Sequence, residues 1–150
     1  MWKLKFEKHF KASPQKVFEV MLSPETYPAW AEVFYPGSCY MGNMKEGNTI
    51  HFVSIDDKTG KENGMMVRVE TYAPFRQVSF KNIGLVYEGD EISQNQSGWL
   101  GAMEEYFFET DELGGTLVRV HTDTIETYKE YFENTWPKAL DKLVEVVDEN

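Results

Sequence analysis

The stretch "ETYKEYFENTWPKALDKLVEVV", residues 126–147, decides the fold. Its apolar residues recur at helical spacing, so it predicts one long amphipathic helix from about residue 124 to 148. Pro137 lies in the middle of this stretch beside Trp136. An internal proline removes one backbone hydrogen bond and crowds the preceding turn, at a cost of about 3 kcal/mol. We therefore expect the helix to bend or break near residues 135–137.

The bend has two interpretations. In the first, the space beneath it forms part of a cavity, and Phe132 and Trp136 face that space. In the second, Asn134 or Thr135 caps a second helix, and the bend serves packing alone. The helix start is predicted from Asp123 and Glu126, which stand at capping-box spacing.

The chain before this helix is rich in strand patterns. Residues 2–11 alternate, with Trp2, Leu4, Phe6 and Phe10 on one side, which is typical of a half-buried strand. Further strands are predicted at about 37–42, 49–56, 64–73, 76–84, 99–110 and 115–122. Most are joined by short polar turns, so the sheet should be antiparallel. The sheet and the last helix carry the large apolar faces and must pack on each other.

Two short helices are predicted between the first and second strands. Ser13 is a good N-cap and Pro14 suits the first helical position, so a helix should run from about 14 to 22. Ser23 and Pro24 repeat this pattern and predict a second helix. That helix is shaped by Pro28 and carries Trp30, Val33 and Phe34.

The connection at about residues 84–99, within the stretch "GLVYEGDEISQNQSGWLG" (residues 84–101), is long, polar and acidic. Loops of this length inside a compact domain are usually functional or mobile. We expect residues 85–98 to form a mobile rim through which a ligand enters.

Composition limits the classes of function. The 150 residues predict a single domain, residues 1–150, with one substantial core. A net charge of −10 disfavours nucleic acids and anionic membrane surfaces as partners. Cys39 is the only cysteine, so no intramolecular disulfide or cysteine-based zinc site is expected. No signal peptide or stretch of transmembrane length is found, so a cytoplasmic protein without membrane insertion is expected.

A family resemblance rests on three features: "F.ASPQKVFEVMLSPETYPAW" near the start, the "GGTLVRV" hairpin and the long terminal helix. Together they resemble the START-like, or SRPBCC, superfamily with its Bet v-type helix-grip fold. Within it, the chain is most similar to the branch of activators of the heat-shock chaperone ATPase. The resemblance implies an α+β fold in which a curved antiparallel sheet of about six or seven strands wraps around the C-terminal helix. It also implies a cavity between them, in a superfamily that binds lipids, sterols or polyketides.

Aromatic residues make up 15% of the chain and need either a large filled core or a cavity to line. With the fold resemblance, we favour the cavity. Its predicted lining is Trp30, Phe34, His51, Met66, Phe80, Trp99, Tyr106, Phe108, Tyr128, Phe132 and Trp136. His51 would donate a hydrogen bond to a polar head group if it faced inward.

Catalytic and metal-binding patterns are scarce. The histidines, His9, His51 and His121, show no metal-ligand spacing, so neither a metal nor a cofactor is expected. His51 and Glu105 are the weak candidates for acid–base chemistry. Only one of Glu104 and Glu105 can face the cavity, because successive strand side chains point to opposite faces. Arg68 or Arg119 could pair with an inward glutamate.

Three functions follow as hypotheses. The preferred one is a carrier or sensor of a small lipophilic molecule, with no enzymatic activity. The alternative is an interaction module that assists a chaperone, as the family branch implies. The third is a polyketide cyclase-like or hydrolase-like enzyme that uses an inward glutamate or His51. The chain should be a monomer or a weak dimer.

Overall fold

The structure is a computed structural model, and it describes residues 1–93 and 98–150. Within these residues the helices are α1 (Pro14–Leu22), α2 (Tyr27–Ala31) and α3 (Glu126–Glu149). The strands are β1 (Trp2–Phe10), β2 (Ser38–Met41), β3 (Thr49–Ile55), β4 (Glu62–Ala73), β5 (Gln77–Tyr87), β6 (Asp90–Ile92), β7 (Met103–Thr110) and β8 (Thr116–Thr124). This order confirms the predicted succession of a strand, two short helices, a run of strands and a long helix.

All strands belong to one antiparallel sheet with the order β1-β8-β7-β5-β4-β3-β2, and β6 pairs with β5. The sheet curls around α3, which confirms the predicted α+β helix-grip fold. Irregular registers between Met66 and Val67 and between Val69 and Thr71 interrupt the pairing of β4 with β5. Such bulges increase local twist and bending, and here they lie in the long central strands of the curled sheet.

One face of α3 closes the concave side of the sheet. Its buried residues recur at helical spacing: Thr135, Trp136, Ala139, Leu140, Leu143, Val146 and Val147. All of these except Thr135 join the main core with Val17, Met21, Val78, Val118 and Val120, each 0% exposed. The C-terminal half of α3 therefore packs tightly on the sheet and α1, and the cavity described below lies toward its N-terminal half.

Helix α1 begins as predicted, but α2 does not. The Ser13 hydroxyl accepts a hydrogen bond from the Lys16 N–H at 3.3 Å, and Pro14 opens α1. The predicted start of α2 at Ser23 and Pro24 is wrong. Ser23 instead ends α1, because its N–H donates to the Glu19 carbonyl at 2.9 Å. Helix α2 starts at Tyr27, with Pro28 in its first turn.

Helix α3 runs unbroken across Pro137, so the predicted break near residues 135–137 is wrong, and so is the alternative of a separate, second capped helix. The bend itself stays a prediction. The predicted capping box is also wrong, because Ile125 is the N-cap residue. The Asp123 carboxylate is engaged elsewhere: it accepts from the Met103 N–H at 2.9 Å and from the Lys3 ammonium at 3.0 Å.

The predicted loop at 84–99 contains regular structure. Strand β5 continues to Tyr87 and turns back into β6. Glu88 and Gly89 have φ angles of 48° and 87°, and hairpin turns with two positive φ angles fit the twist of the flanking strands. The first part of the predicted rim is thus a β-hairpin. Residues 94–97 of the predicted rim lie outside the described residues.

Candidate ligand cavity

A cavity of about 690 Å³ lies between the concave face of the sheet, α2 and the N-terminal half of α3. Its volume falls within the roughly 300–1,000 Å³ of small-molecule sites. Eight of the predicted lining residues do line it: Trp30, Phe34, Phe80, Trp99, Tyr106, Tyr128, Phe132 and Trp136. The aromatic residues therefore surround an open space as well as filling a core. Whether they bind a ligand stays a prediction.

Trp136 is the centre of the aromatic wall. Its ring centroid lies 5.0 Å from that of Phe34, 6.0 Å from that of Tyr106 and 6.1 Å from that of Trp30. These separations are typical of aromatic pairs that stabilise one another beyond their buried area. The residue beside Pro137 thus joins α2, α3 and β7 around the cavity.

Three predicted lining residues do not line the cavity. His51 points to the outer face of the sheet, where its Nε2 lies 3.2 Å from Glu91 Oε1. Its neighbour Phe52 lines the cavity instead. Met66 belongs to a small buried cluster with Val53 and Val86, away from the main core.

Phe108 is the third of these residues. It is buried deeper in the core, with its ring centroid 5.0 Å from that of Phe18 in α1. The core is filled at this end of the molecule, so Phe108 is a packing residue.

Glu104, not Glu105, is the inward carboxyl. Glu104 lines the cavity, and the hydroxyl of Tyr106 donates a hydrogen bond to it. The predicted cationic partners lie elsewhere: Arg68 pairs with Glu70 at 2.9 Å, and Arg119 pairs with Glu109 at 3.3 Å. Among the described residues, no Lys, Arg or His lines the cavity.

Burial perturbs the titratable groups of the cavity. Desolvation raises the pKa of the Glu104 carboxyl, while its hydrogen bonds with Tyr106 and Thr122 act in the opposite direction. The pKa of the Tyr106 phenol is raised well above its ordinary value by burial and by the nearby Glu104 charge. The same two causes raise the pKa of Tyr27. The cavity thus disfavours negative charge on all three groups.

Two hydrogen-bond donors in the lining are buried without a partner within the described part of the chain: Asn82 Nδ2 and Trp136 Nε1. The Asn82 amide orientation is assigned from its other end, since Oδ1 accepts from the Gly84 N–H at 3.2 Å. Buried polar groups are usually satisfied. A ligand with hydrogen-bond acceptors would supply what these donors lack.

The two-residue period of β-strands indicates from the sequence alone which carboxyl faces inward. Tyr106 was expected to face the cavity, and residues two apart on a strand share a face. Glu104 therefore had to face inward with Tyr106, and Glu105 could not. Asn82 had the same relation to Phe80, which was also expected to face inward.

In residues 1–93 and 98–150, no group of three or more His, Cys, Asp or Glu side chains is placed to hold a metal ion. No helix in these same ranges combines the length and apolar character needed to cross a membrane.

A curled antiparallel sheet that grips a C-terminal helix around an internal cavity defines the class of helix-grip proteins. The chain belongs to the family described as activator of Hsp90 ATPase homolog 1-like proteins, whose model matches residues 11–148. The sequence-based resemblance to this branch is thereby confirmed. A sequence search of curated proteins found no match.

Solved structures share the fold at low sequence identity. A protein from Mesorhizobium loti is 14% identical, with a TM-score of 0.74, and the match covers 99% of this chain and 98% of that one. The Aha1 dimer from Colwellia psychrerythraea gives 19% identity and a TM-score of 0.66, over 99% and 95% of the two chains. CalU16 from Micromonospora echinospora is 18% identical, with a TM-score of 0.66, and the match covers 97% of this chain and 75% of that one.

Proposed function

We propose that this protein binds a small lipophilic molecule in the cavity between the curled sheet and α3. The observation that carries the proposal is an aromatic-lined space of about 690 Å³ that also contains polar groups with no partner among the residues that the structure describes. A cavity that existed only as a packing defect would be expected to be small and apolar. Its few polar groups match the pattern of small-molecule sites, in which apolar walls bind and a few polar atoms orient the ligand.

The proposal is tested with the uncharged fluorescent probe N-phenyl-1-naphthylamine. We expect saturable binding, with one probe per chain and a fluorescence increase as the probe leaves water. Met65→Trp should reduce the affinity at least about tenfold, because the larger side chain occupies the cavity that Met65 lines. Probe binding that does not saturate, or that is unaffected by the filled cavity, would contradict the proposal.

Arg68→Trp is the matched control for Met65→Trp. Arg68 lies three residues along the same strand, is exposed, and pairs with Glu70 outside the cavity. The Arg68→Trp substitution therefore adds the same indole group as Met65→Trp, but to the opposite face of β4. We expect this variant to bind the probe as the unaltered protein does.

The family match favours a second candidate, contact with a heat-shock chaperone. It is supported by the family description and by the structural similarity to Aha1. The measurement is the ATPase rate of a purified Hsp90 with and without this protein. Stimulation that Met65→Trp leaves unchanged would assign the activity to the outer surface, independent of the cavity.

A further inference from the structure

We propose that the cavity selects an uncharged lipophile with a hydroxyl group, which bridges Asn82 and Glu104. The hydroxyl oxygen accepts a hydrogen bond from Asn82 Nδ2, and the hydroxyl hydrogen is donated to the Glu104 carboxyl. This inference rests on the proposed function and adds the chemical class of the ligand.

Asn82 supplies the first half of the bridge. Its side chain lines the cavity and is 3% exposed, and Nδ2 has no partner within residues 1–93 and 98–150. The hydrogen bond from the Gly84 N–H to Oδ1 fixes the orientation of the Asn82 amide. In this orientation the amide oxygen already accepts a hydrogen bond, whereas the NH₂ group is still able to donate one. A ligand atom that meets Nδ2 must therefore be an acceptor.

Glu104 supplies the second half. It lies directly opposite Phe80 in the pairing of β5 with β7, and Asn82 is two residues beyond Phe80 on the same face of β5. Such diagonal neighbours in a sheet are about 7–8 Å apart at the backbone, so their side chains can approach one small group from two sides. Tyr106 already donates to Glu104, which leaves further acceptor capacity on the carboxyl.

The charge of the lining separates the ligand classes. Within the described residues, the cavity is lined by two carboxyl groups, Glu104 and Asp123, and by no cationic side chain. Lys3 already pairs with Asp123 at 3.0 Å, so an anionic ligand would face Glu104 without a cation of its own. A protonated amine could pair with Glu104, but it has no lone pair to accept from Asn82. A hydroxyl group satisfies both side chains at once.

The test compares four pyrenes that differ in one substituent: 1-pyrenemethanol, 1-methylpyrene, 1-pyrenecarboxylic acid and 1-pyrenemethylamine. Their dissociation constants are measured at pH 7 on the unaltered protein, from quenching of tryptophan fluorescence. We expect 1-pyrenemethanol to bind at least about tenfold more tightly than 1-methylpyrene, because it makes two additional hydrogen bonds. The acid and the amine should both bind more weakly than the alcohol.

Each result of the comparison of the four pyrenes supports or overturns the inference. Equal affinities for all four compounds would leave the cavity as a binding site and overturn the hydroxyl inference. Tighter binding of the acid or the amine than of the alcohol would also overturn it. If no pyrene and no N-phenyl-1-naphthylamine bind, the proposed function fails and the inference fails with it.

Glu104→Leu tests the bridge directly, with Glu105→Leu as the matched control on the other face of β7. We expect Glu104→Leu to reduce the preference for the alcohol over 1-methylpyrene to less than about threefold, with the affinity for 1-methylpyrene retained. Glu105→Leu should keep the full preference. An unchanged preference in Glu104→Leu would contradict the inference. If this variant fails to fold, the four-ligand series on the unaltered protein still decides.

Discussion

The two faces of the sheet carry similar residues under opposite conditions, and strand β7 shows the contrast best. Glu104 faces the cavity beside Tyr106, and no cation accompanies it within residues 1–93 and 98–150. Its neighbour Glu105 faces outward, opposite His121 of β8. Outer-face carboxylates elsewhere have cationic partners within reach, as in the pairs Arg68–Glu70 and Arg119–Glu109.

This contrast is what the proposed function predicts, because a binding site gives up stability for recognition. A carboxyl in an apolar space is costly unless it is neutralised or paired. On the outer face the same residue type is solvated and close to a cation, which contributes little to stability but costs little as well. In the described part of the chain, two buried donors of the lining lack partners and add to the cost of the inner face. Such unsatisfied groups are expected where a ligand completes the site.

A tryptophan of the cavity wall and an exposed tryptophan can be compared first, because the largest effect is expected there. Trp136 is 2% exposed within the cavity wall, whereas Trp2 on β1 is 47% exposed. We expect Trp136→Ala to lower the free energy of unfolding by about 3–5 kcal/mol. Trp2→Ala should lower it by about 1 kcal/mol or less. Urea denaturation measures both. Equal losses would show that the cavity wall is no more tightly packed than the exposed site of Trp2 beside the start of α3.

A second pair sharpens the comparison within two adjacent residues of β4. Met66 is 5% exposed in the outer cluster, so Met66→Ala should cost about 2–5 kcal/mol of unfolding free energy. Met65 is only partly buried and lines the cavity. Met65→Ala should cost less than half as much as Met66→Ala.

Probe affinity should show the reverse order for these two methionines. We expect Met65→Ala to weaken the binding of N-phenyl-1-naphthylamine several-fold, through lost apolar contact. Met66→Ala should leave that affinity unchanged. A loss of affinity in Met66→Ala alone would place the binding site on the outer face.

Glu104 also predicts a pH dependence. Burial raises its pKa from the ordinary value of 4.5, so the folded protein binds this proton more tightly than the unfolded chain does. The resulting stabilisation is present below pH 4.5 and is lost as the pH rises through the folded-state pKa. We expect Glu104→Gln to be more stable than the unaltered protein at pH 7, with a smaller difference at pH 4.5.

Thermal unfolding of Glu104→Gln and Glu105→Gln across this pH range measures the effect. Glu105 lies on the outer face of the same strand and serves as the control. A stability difference that is the same at both pH values, or that is as large for Glu105→Gln, would argue against a desolvated carboxyl in the cavity.

Local patterns in the sequence predicted the elements well. Ser13 and Pro14 predicted the start of α1, and alternation in residues 2–11 predicted β1. Predicted element boundaries were wrong where one residue can take either of two local roles. Ser23 could open a helix or end one, and Asp123 could cap α3 or bind the chain at Met103. These choices depend on contacts that the spacing of residues does not specify.

The cavity was predicted less completely, because its lining depends on which face of each strand turns inward. The inward orientation of Trp30, Phe34 and Trp136 was predictable, because large aromatic side chains are usually buried. His51 and Phe52 are adjacent, and a register shift of one residue exchanges their faces. Consistent use of the two-residue strand period would have found Glu104 from Tyr106. No local pattern showed that Asn82 Nδ2 would lack a partner.

The central claim is that the cavity, and not the outer surface, binds the ligand, and the indole N–H signals of the four tryptophans test it most directly. Trp30, Trp99 and Trp136 line the cavity, and Trp2 does not. Titration of ¹⁵N-labelled protein with 1-pyrenemethanol should shift the three cavity signals in a saturable way and leave the Trp2 signal in place. The Trp136 signal should show a large shift, because its N–H lies in the cavity wall without a partner among the described residues. A shift of the Trp2 signal with no change in the other three would contradict the account.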